Sequence, residues 1–144
     1  MRYVIQDAQG NEVELAKEIA YLNNYLDLQR SRLRGSVTID FEVKGKVGQQ
    51  RIAPLILFSF IENAFQHGVS PEEESVIRIV IQVEAQELTF SCYNRKVATQ
   101  APKGTGIGLE NTRKRLELLY PSRHHLVVIE TGEDYQVELS IRLS

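Results

Sequence analysis

Two stretches in which apolar residues recur at every second position, each broken by a short turn, constrain this chain more than any other feature. Ile77, Ile79, Ile81 and Val83 hold that period, and after Glu84–Glu87 it resumes at Leu88, Phe90 and Cys92. Leu126 and Val128 hold it again before a turn at Thr131–Asp134, beyond which Tyr135, Val137, Leu139, Ile141 and Leu143 continue it. A period of two puts these side chains on one face of a strand. Connections this short join antiparallel neighbours, because parallel ones need a long crossover. A doubly wound parallel sheet is thereby excluded.

The remaining segments are helical or return to the same period. Leu15, Ile19, Leu22 and Leu26 step by four, three and four, one face of a helix expected over Glu12–Leu33. Asn11 and Glu14 have capping-box spacing at its start, cations at Arg30, Arg32 and Arg34 suit its end, and Gly35 closes it. Val37, Ile39, Phe41 and Val43 predict a half-buried strand, and Lys44–Gln50 a turn. Pro54 suits the first position of a second helix, which Gly68 ends. An acidic loop is expected over Ser70–Ser75 and an irregular one over Asn94–Gly104. A third helix covers Leu109–Leu119, stopped by Pro121. The expected fold is therefore α/β of the α+β kind: a two-layer sandwich whose mixed, largely antiparallel sheet is covered on one face by helices.

Composition narrows the function classes. The chain has 144 residues, enough for one domain with a working core, and 42% apolar with 25% charged residues is a globular balance. With 17 basic and 19 acidic side chains the net charge is −2, which argues against a nucleic-acid binder. A single cysteine, Cys92, excludes a disulfide framework and a multi-cysteine zinc site. The run Leu55–Ile61 is too short to span a bilayer and no secretory signal opens the chain, so a cytosolic-type domain is expected.

The second helix carries the sharpest chemical signal. Leu55, Ile56, Leu57, Phe58, Phe60, Ile61, Ala64 and Phe65 nearly surround it, which predicts burial. Its polar residues Ser59, Glu62, Asn63 and Gln66 fall at i, i+3, i+4 and i+7, one stripe with His67 beside it. Two readings are open. The stripe is a solvent-facing edge or is taken up by internal hydrogen bonds, or it lines a polar pocket in which Glu62 and Asn63 offer oxygen ligands to a hard cation such as Mg²⁺. The run Gly104-Thr105-Gly106-Ile107-Gly108-Leu109 opens the third helix, where glycines permit close backbone approach and free N–H groups suit an anion. It matches neither GxGxxG nor GxxxxGK[ST]; alone it is equally a hinge. Both signals together describe metal ligands and phosphate-cradling amides around one nucleotide.

IENAFQHG (Ile61–Gly68) and GTGIGLENTRKRLELLYP (Gly104–Pro121) resemble the asparagine and glycine boxes of the LytS-type sensor histidine kinases, and EIAYLNNYLDLQRSR (Glu18–Arg32) is similar to the helix leading into their catalytic domain. The resemblance covers nearly the whole chain and implies the Bergerat fold of the GHKL ATP-binding superfamily. It implies ATP and Mg²⁺ as ligands, with Asn63 on the metal and Glu62 and His67 flanking it as pocket residues, Glu62 with Asn63 in the catalytic pair. The nucleotide-binding set it implies is Asn63, Gln66, His67, Asn94, Gly104, Thr105, Gly106, Ile107, Gly108 and Leu109. Asn111, Arg113 and Arg115 match the polar residues of the following helix. Two positions depart from the pattern. An aspartate–asparagine–glycine step is replaced by Asn94-Arg95-Lys96, which leaves the Asn94 carbonyl to read adenine, and Gln66 stands where a lysine is frequent. Lys96, Lys103 or Arg95 are the candidate substitute cations.

The resemblance also implies what lies elsewhere. None of His67, His124 and His125 occupies the phosphoacceptor position, so the chain is expected to be a catalytic domain (36–144) behind a linker helix (1–35), the two packed as one unit. Its parent would be a homodimeric receptor of the bacterial cell membrane. Expected partners are the dimerisation helices that carry the phosphoacceptor and a downstream response regulator, with no nucleic acid. Two rivals stand beside this reading: a nucleotide-sensing or scaffolding module without catalysis, and an ATP-hydrolysing relative outside signalling.

Overall fold

Both predicted hairpins form, and they sit side by side in one sheet. The computed structural model describes residues 12–33, 35–69, 74–97 and 107–143. In chain order the elements are β1 (Val13–Glu14), α1 (Leu15–Arg32), β2 (Val37–Gly45), β3 (Arg51–Ile52), α2 (Ile56–Gly68), β4 (Ser75–Glu84), β5 (Glu87–Arg95), α3 (Ile107–Leu119), β6 (His124–Glu130) and β7 (Asp134–Arg142). Five strands make the main sheet in the order β2-β4-β5-β7-β6. Only β2 and β4 pair parallel, and α2 lies in the crossover such a pair requires; the other three pairings are antiparallel.

Inward rows follow the predicted period. Ile77, Ile79, Ile81 and Val83 of β4, Leu88, Phe90 and Cys92 of β5, and Val137, Leu139 and Ile141 of β7 are all buried. Their neighbours Arg78, Gln82, Thr89, Glu138 and Arg142 are exposed on the other face. The helices cover the apolar face. Leu15, Leu22 and Leu26 of α1 are fully buried, each stabilising the fold by about 1.5–3 kcal/mol. Tyr21 and Tyr25 of α1 meet Phe58 and Phe65 of α2 edge to face, with centroids 4.9–5.6 Å apart.

Several boundaries differ from the sequence expectation. Helix α1 begins at Leu15 rather than Glu12, because Val13 and Glu14 pair with Ile52 and Arg51 in a two-stranded ladder. Glu14 is the N-cap residue and makes no side-chain cap, so it is not the interior partner of a capping box; Asn11 lies outside the described residues. The long-range ladder wins because it satisfies backbone groups, including the Leu15 N–H, which donates to the Gln50 carbonyl at 2.9 Å. Pro54 precedes α2 by two residues, and Leu55 between them is left-handed at φ 66°. Ser75 belongs to β4, and Asn94 and Arg95 to β5, not to loops. Residues 70–73 and 98–106 lie outside the described residues. Among the described residues no helix is long and apolar enough to cross a membrane.

Candidate functional site

Helix α2 is buried on one side only. Ile56, Leu57, Phe60, Ile61, Ala64, Phe65 and Gly68 face the core, while Glu62 and Gln66 are exposed and Ser59, Asn63 and His67 are half-buried. The expectation of all-round burial fails because the polar stripe is the helix's accessible side. Ser59 does not contribute its hydroxyl to a site; its Oγ donates back to the Leu55 carbonyl at 2.9 Å.

The rest of the stripe divides between two surroundings. Glu62 lies on the flank toward α1, where its charge, after burial itself, helps push the Tyr21 and Tyr25 hydroxyls above their ordinary values. Asn63 lies toward the sheet and donates a side-chain hydrogen bond to the Tyr135 hydroxyl. Burial raises the Tyr135 pKa; the Asn63 bond and the charge of Arg113 on α3 work against that rise. His67 stacks on the Tyr135 ring, with centroids 6.5 Å apart and planes 26° apart. Tyr135 is thus the floor on which Asn63 and His67 rest.

Asn94 is Tyr135's register partner across β5 and β7. It continues the inward row of Leu88, Phe90 and Cys92, and is 1% exposed. Its Nδ2 donates to the Arg95 carbonyl at 3.2 Å, while its Oδ1 is buried with no hydrogen-bond partner among the described residues. Gly68 stands directly over it: a Cβ there would meet Asn94 Nδ2, Cβ and Cγ at 2.7–2.9 Å. The absence of a side chain at Gly68 lets α2 close onto β5 at this point.

The structure therefore brings Asn63, His67 and Asn94 together around Tyr135, with Gly68 as the contact. Gly108 is exposed and Leu109 half-buried at the start of α3, and Ile107 opens that helix; Gly104, Thr105 and Gly106 lie outside the described residues, as does Lys103. Asn111 is exposed on α3. Lys96 is engaged elsewhere: its Nζ pairs with Glu130 at 2.6 Å and donates to the Thr131 carbonyl at 2.9 Å. Arg115 donates to the Pro54 carbonyl at 3.0 Å. His124 opens β6 and its Nδ1 lies 2.8 Å from the Tyr120 carbonyl, a structural position.

Sequence reading missed Tyr135. The signal was present, since Asn94 and Tyr135 each end a period-two apolar row with a polar tip. Only the pairing of β5 with β7 makes the two ends adjacent. Among the described residues no three His, Cys, Asp or Glu side chains gather as a metal site.

No protein-family model matches the chain. The sensor protein LytS of Enterococcus faecalis is 24% identical over 144 residues, covering 89% of this chain and 24% of that protein. The sensor histidine kinase YpdA of Escherichia coli is 24% identical over 146 residues, covering 93% of this chain and 26% of that one. The chain spans about a quarter of the length of these curated relatives. Among solved structures, the nucleotide-free catalytic domain of histidine kinase ThkA superposes with a TM-score of 0.64 at 11% identity, over 92% of this chain and 94% of that one. Full-length ShkA in complex with AMPPNP also gives 0.64, at 14% identity, over 92% of this chain and 31% of that one. ThkA in complex with the response regulator TrrA gives 0.60 at 14% identity, over 99% of this chain and 46% of that one. The chain has the fold of histidine kinase catalytic domains of known structure, and in sequence it is similar to sensor kinases such as LytS and YpdA.

Proposed function

We propose that this chain is the ATP-binding catalytic part of a sensor histidine kinase, and that it passes the γ-phosphate of Mg–ATP to a histidine outside itself. The observation that carries the reading is the Asn94 carbonyl oxygen, buried and without a partner among the described residues, beside Asn63, His67 and Tyr135. A buried acceptor left unpaired costs about 1–3 kcal/mol, which a donor such as the exocyclic amine of adenine would recover. An asparagine carbonyl can accept that bond without the charge of the carboxylate the family resemblance leads one to expect.

The Asn63 amide has both ends employed in this reading. Its N–H₂ is spent on Tyr135, which leaves its carbonyl oxygen for a hard cation. Bound Mg²⁺ supplies charge neutralisation on the phosphates, the larger part of what phosphoryl transfer requires. The run from Gly104 to Leu109 would offer backbone N–H groups at the entrance of α3, and Arg113, whose charge already reaches Tyr135, adds a cation on the same side. Gln66, exposed on α2, would border the phosphates as a neutral donor. In the transfer an imidazole nitrogen of the accepting histidine forms a bond to the γ-phosphorus as the bond to the ADP oxygen breaks. Glu62, exposed and next to Asn63 in sequence, would take the imidazole proton.

Helix α1 would be the element entering from the dimerisation helices of a longer, membrane-anchored homodimer, packed here as part of the catalytic unit, and the product would serve a response regulator. Calorimetric titration with ADP and a non-hydrolysable ATP analogue, with and without Mg²⁺, tests the reading. Metal-dependent binding that Asn63→Ala abolishes is expected; equal binding by the variant overturns it. A scaffold without catalysis is favoured by one observation, the capture of Lys96 by Glu130. It predicts no phosphorylated product when the chain is joined to a helix bearing the acceptor histidine.

A further inference from the structure

The backbone leading into α2 is held at three consecutive residues by side chains from three other places in the fold. The Ala53 N–H donates to the Tyr120 hydroxyl at 2.9 Å, the Arg115 guanidinium donates to the Pro54 carbonyl at 3.0 Å, and the Leu55 N–H donates to the Glu18 carboxylate at 3.2 Å. Leu55 is the N-cap of α2, sits in the left-handed region at φ 66° and provides no cap of its own. A leucine holds that conformation only where its surroundings impose it.

Glu18 is the unusual member of the trio. It is 0% exposed, on the apolar face of α1 between Leu15 and Leu22. A buried carboxylate carries a desolvation penalty, and an apolar side chain of similar volume is often neutral or stabilising in its place. Stability alone therefore gives no reason for a glutamate. What a carboxylate can do and a leucine cannot is accept an N–H at a helix start, where its charge opposes the positive end of the dipole. The same short segment is tied to α1 a second time, through Val13 paired with Ile52 and the Leu15 N–H on the Gln50 carbonyl. The first turn of α1 and the run into α2 thus form one body, and Asn63 lies about two helical turns along from Leu55.

We propose that Glu18 is a positioning residue for the nucleotide site: by capping α2 from α1 it sets where Asn63 stands, and it couples nucleotide occupancy to the docking of α1. The inference rests on the nucleotide-binding reading above. Binding linkage is reciprocal, so nucleotide should in turn hold α1 and the Leu55 amide more firmly.

The test compares Glu18→Gln, which keeps an acceptor, with Glu18→Leu, which keeps the volume and removes it. Nucleotide affinity is read by calorimetry with Mg²⁺ at a temperature where circular dichroism shows each chain folded. Glu18→Gln should bind within about threefold of the unmodified chain, and Glu18→Leu at least tenfold more weakly. A purely structural role would shift Tm and leave the affinity of the folded chain alone, so equal affinities overturn the proposal. Should Glu18→Leu not fold, amide exchange in the unmodified chain decides. Nucleotide must slow the Leu55 amide more than those of Val83 and Phe90, which report global opening; equal slowing overturns the proposal. If the unmodified chain binds no nucleotide, the reading of the site fails first, and the coupling with it.

Discussion

Gly68 of α2 lies so close to Asn94 of β5 that the glycine has no room for a methyl group: a Cβ would come within 2.7 Å of the Asn94 amide nitrogen. Asn94 is buried between Ile77 and Tyr135 on the neighbouring strands, and its own Cβ, which no rotation of the amide moves, would lie 2.8 Å from the new methyl group. Gly68→Ala should therefore destabilise the fold by about 1–3 kcal/mol through overpacking, although alanine is the better helix former. Urea unfolding of the two chains measures this; a stabilised variant would mean α2 can lift from β5 without loss.

Removing the Tyr135 hydroxyl separates orientation from packing. In Tyr135→Phe the ring remains under His67, and the half-buried Asn63 amide can turn to solvent, so stability should change by no more than about 1 kcal/mol. Mg²⁺-dependent nucleotide affinity should fall several-fold because the Asn63 carbonyl is no longer aimed. Metal-free binding should not change. Titrations with and without Mg²⁺ read the difference, and a loss of equal size in both would place Tyr135 outside the metal's reach.

Lys96 offers a test with the opposite expectation. Its ammonium is held by Glu130 and the Thr131 carbonyl at the β6–β7 turn. A largely solvent-accessible pair contributes about 0–1 kcal/mol, so Lys96→Met should melt within a few degrees of the unmodified chain. Its nucleotide affinity should stay within about twofold. A tenfold loss would return Lys96 to the phosphates.

Alkaline pH should weaken the fold. Burial pushes the Cys92 thiol up to about 12, and burial followed by the Glu62 carboxylate pushes the Tyr25 hydroxyl to about 12. Both groups are held protonated in the native state, so their contribution is complete below their unfolded pKa values. It is lost as pH rises toward 12 through the folded ones. Denaturant titrations at pH 7, 9 and 10.5 should show stability falling at the higher two, with a shallower fall in Cys92→Ala. The same burial keeps Cys92 from reacting with a thiol reagent at pH 8 until the chain unfolds; rapid labelling of the folded chain would contradict it.

Period and turn length are local quantities, and they were enough for the sheet's mixed topology, the single covered face and the polar stripe of α2. The motifs of the sequence also put Asn63, His67 and Asn94 within a longer set of candidate side chains that included Glu62 and Gln66. It could not say which of them meet. Two-residue β1 and β3 exist only as partners of each other, and their ladder moves the start of α1. Tyr135 becomes part of the site only because β7 inserts between β5 and β6. Glu18 looked like one more acidic residue on a helix. Its meaning is a contact with Leu55 across 37 residues of chain. These were decided by tertiary structure because a hydrogen bond between distant segments depends on the packing of everything between them, and no period in a sequence encodes that distance.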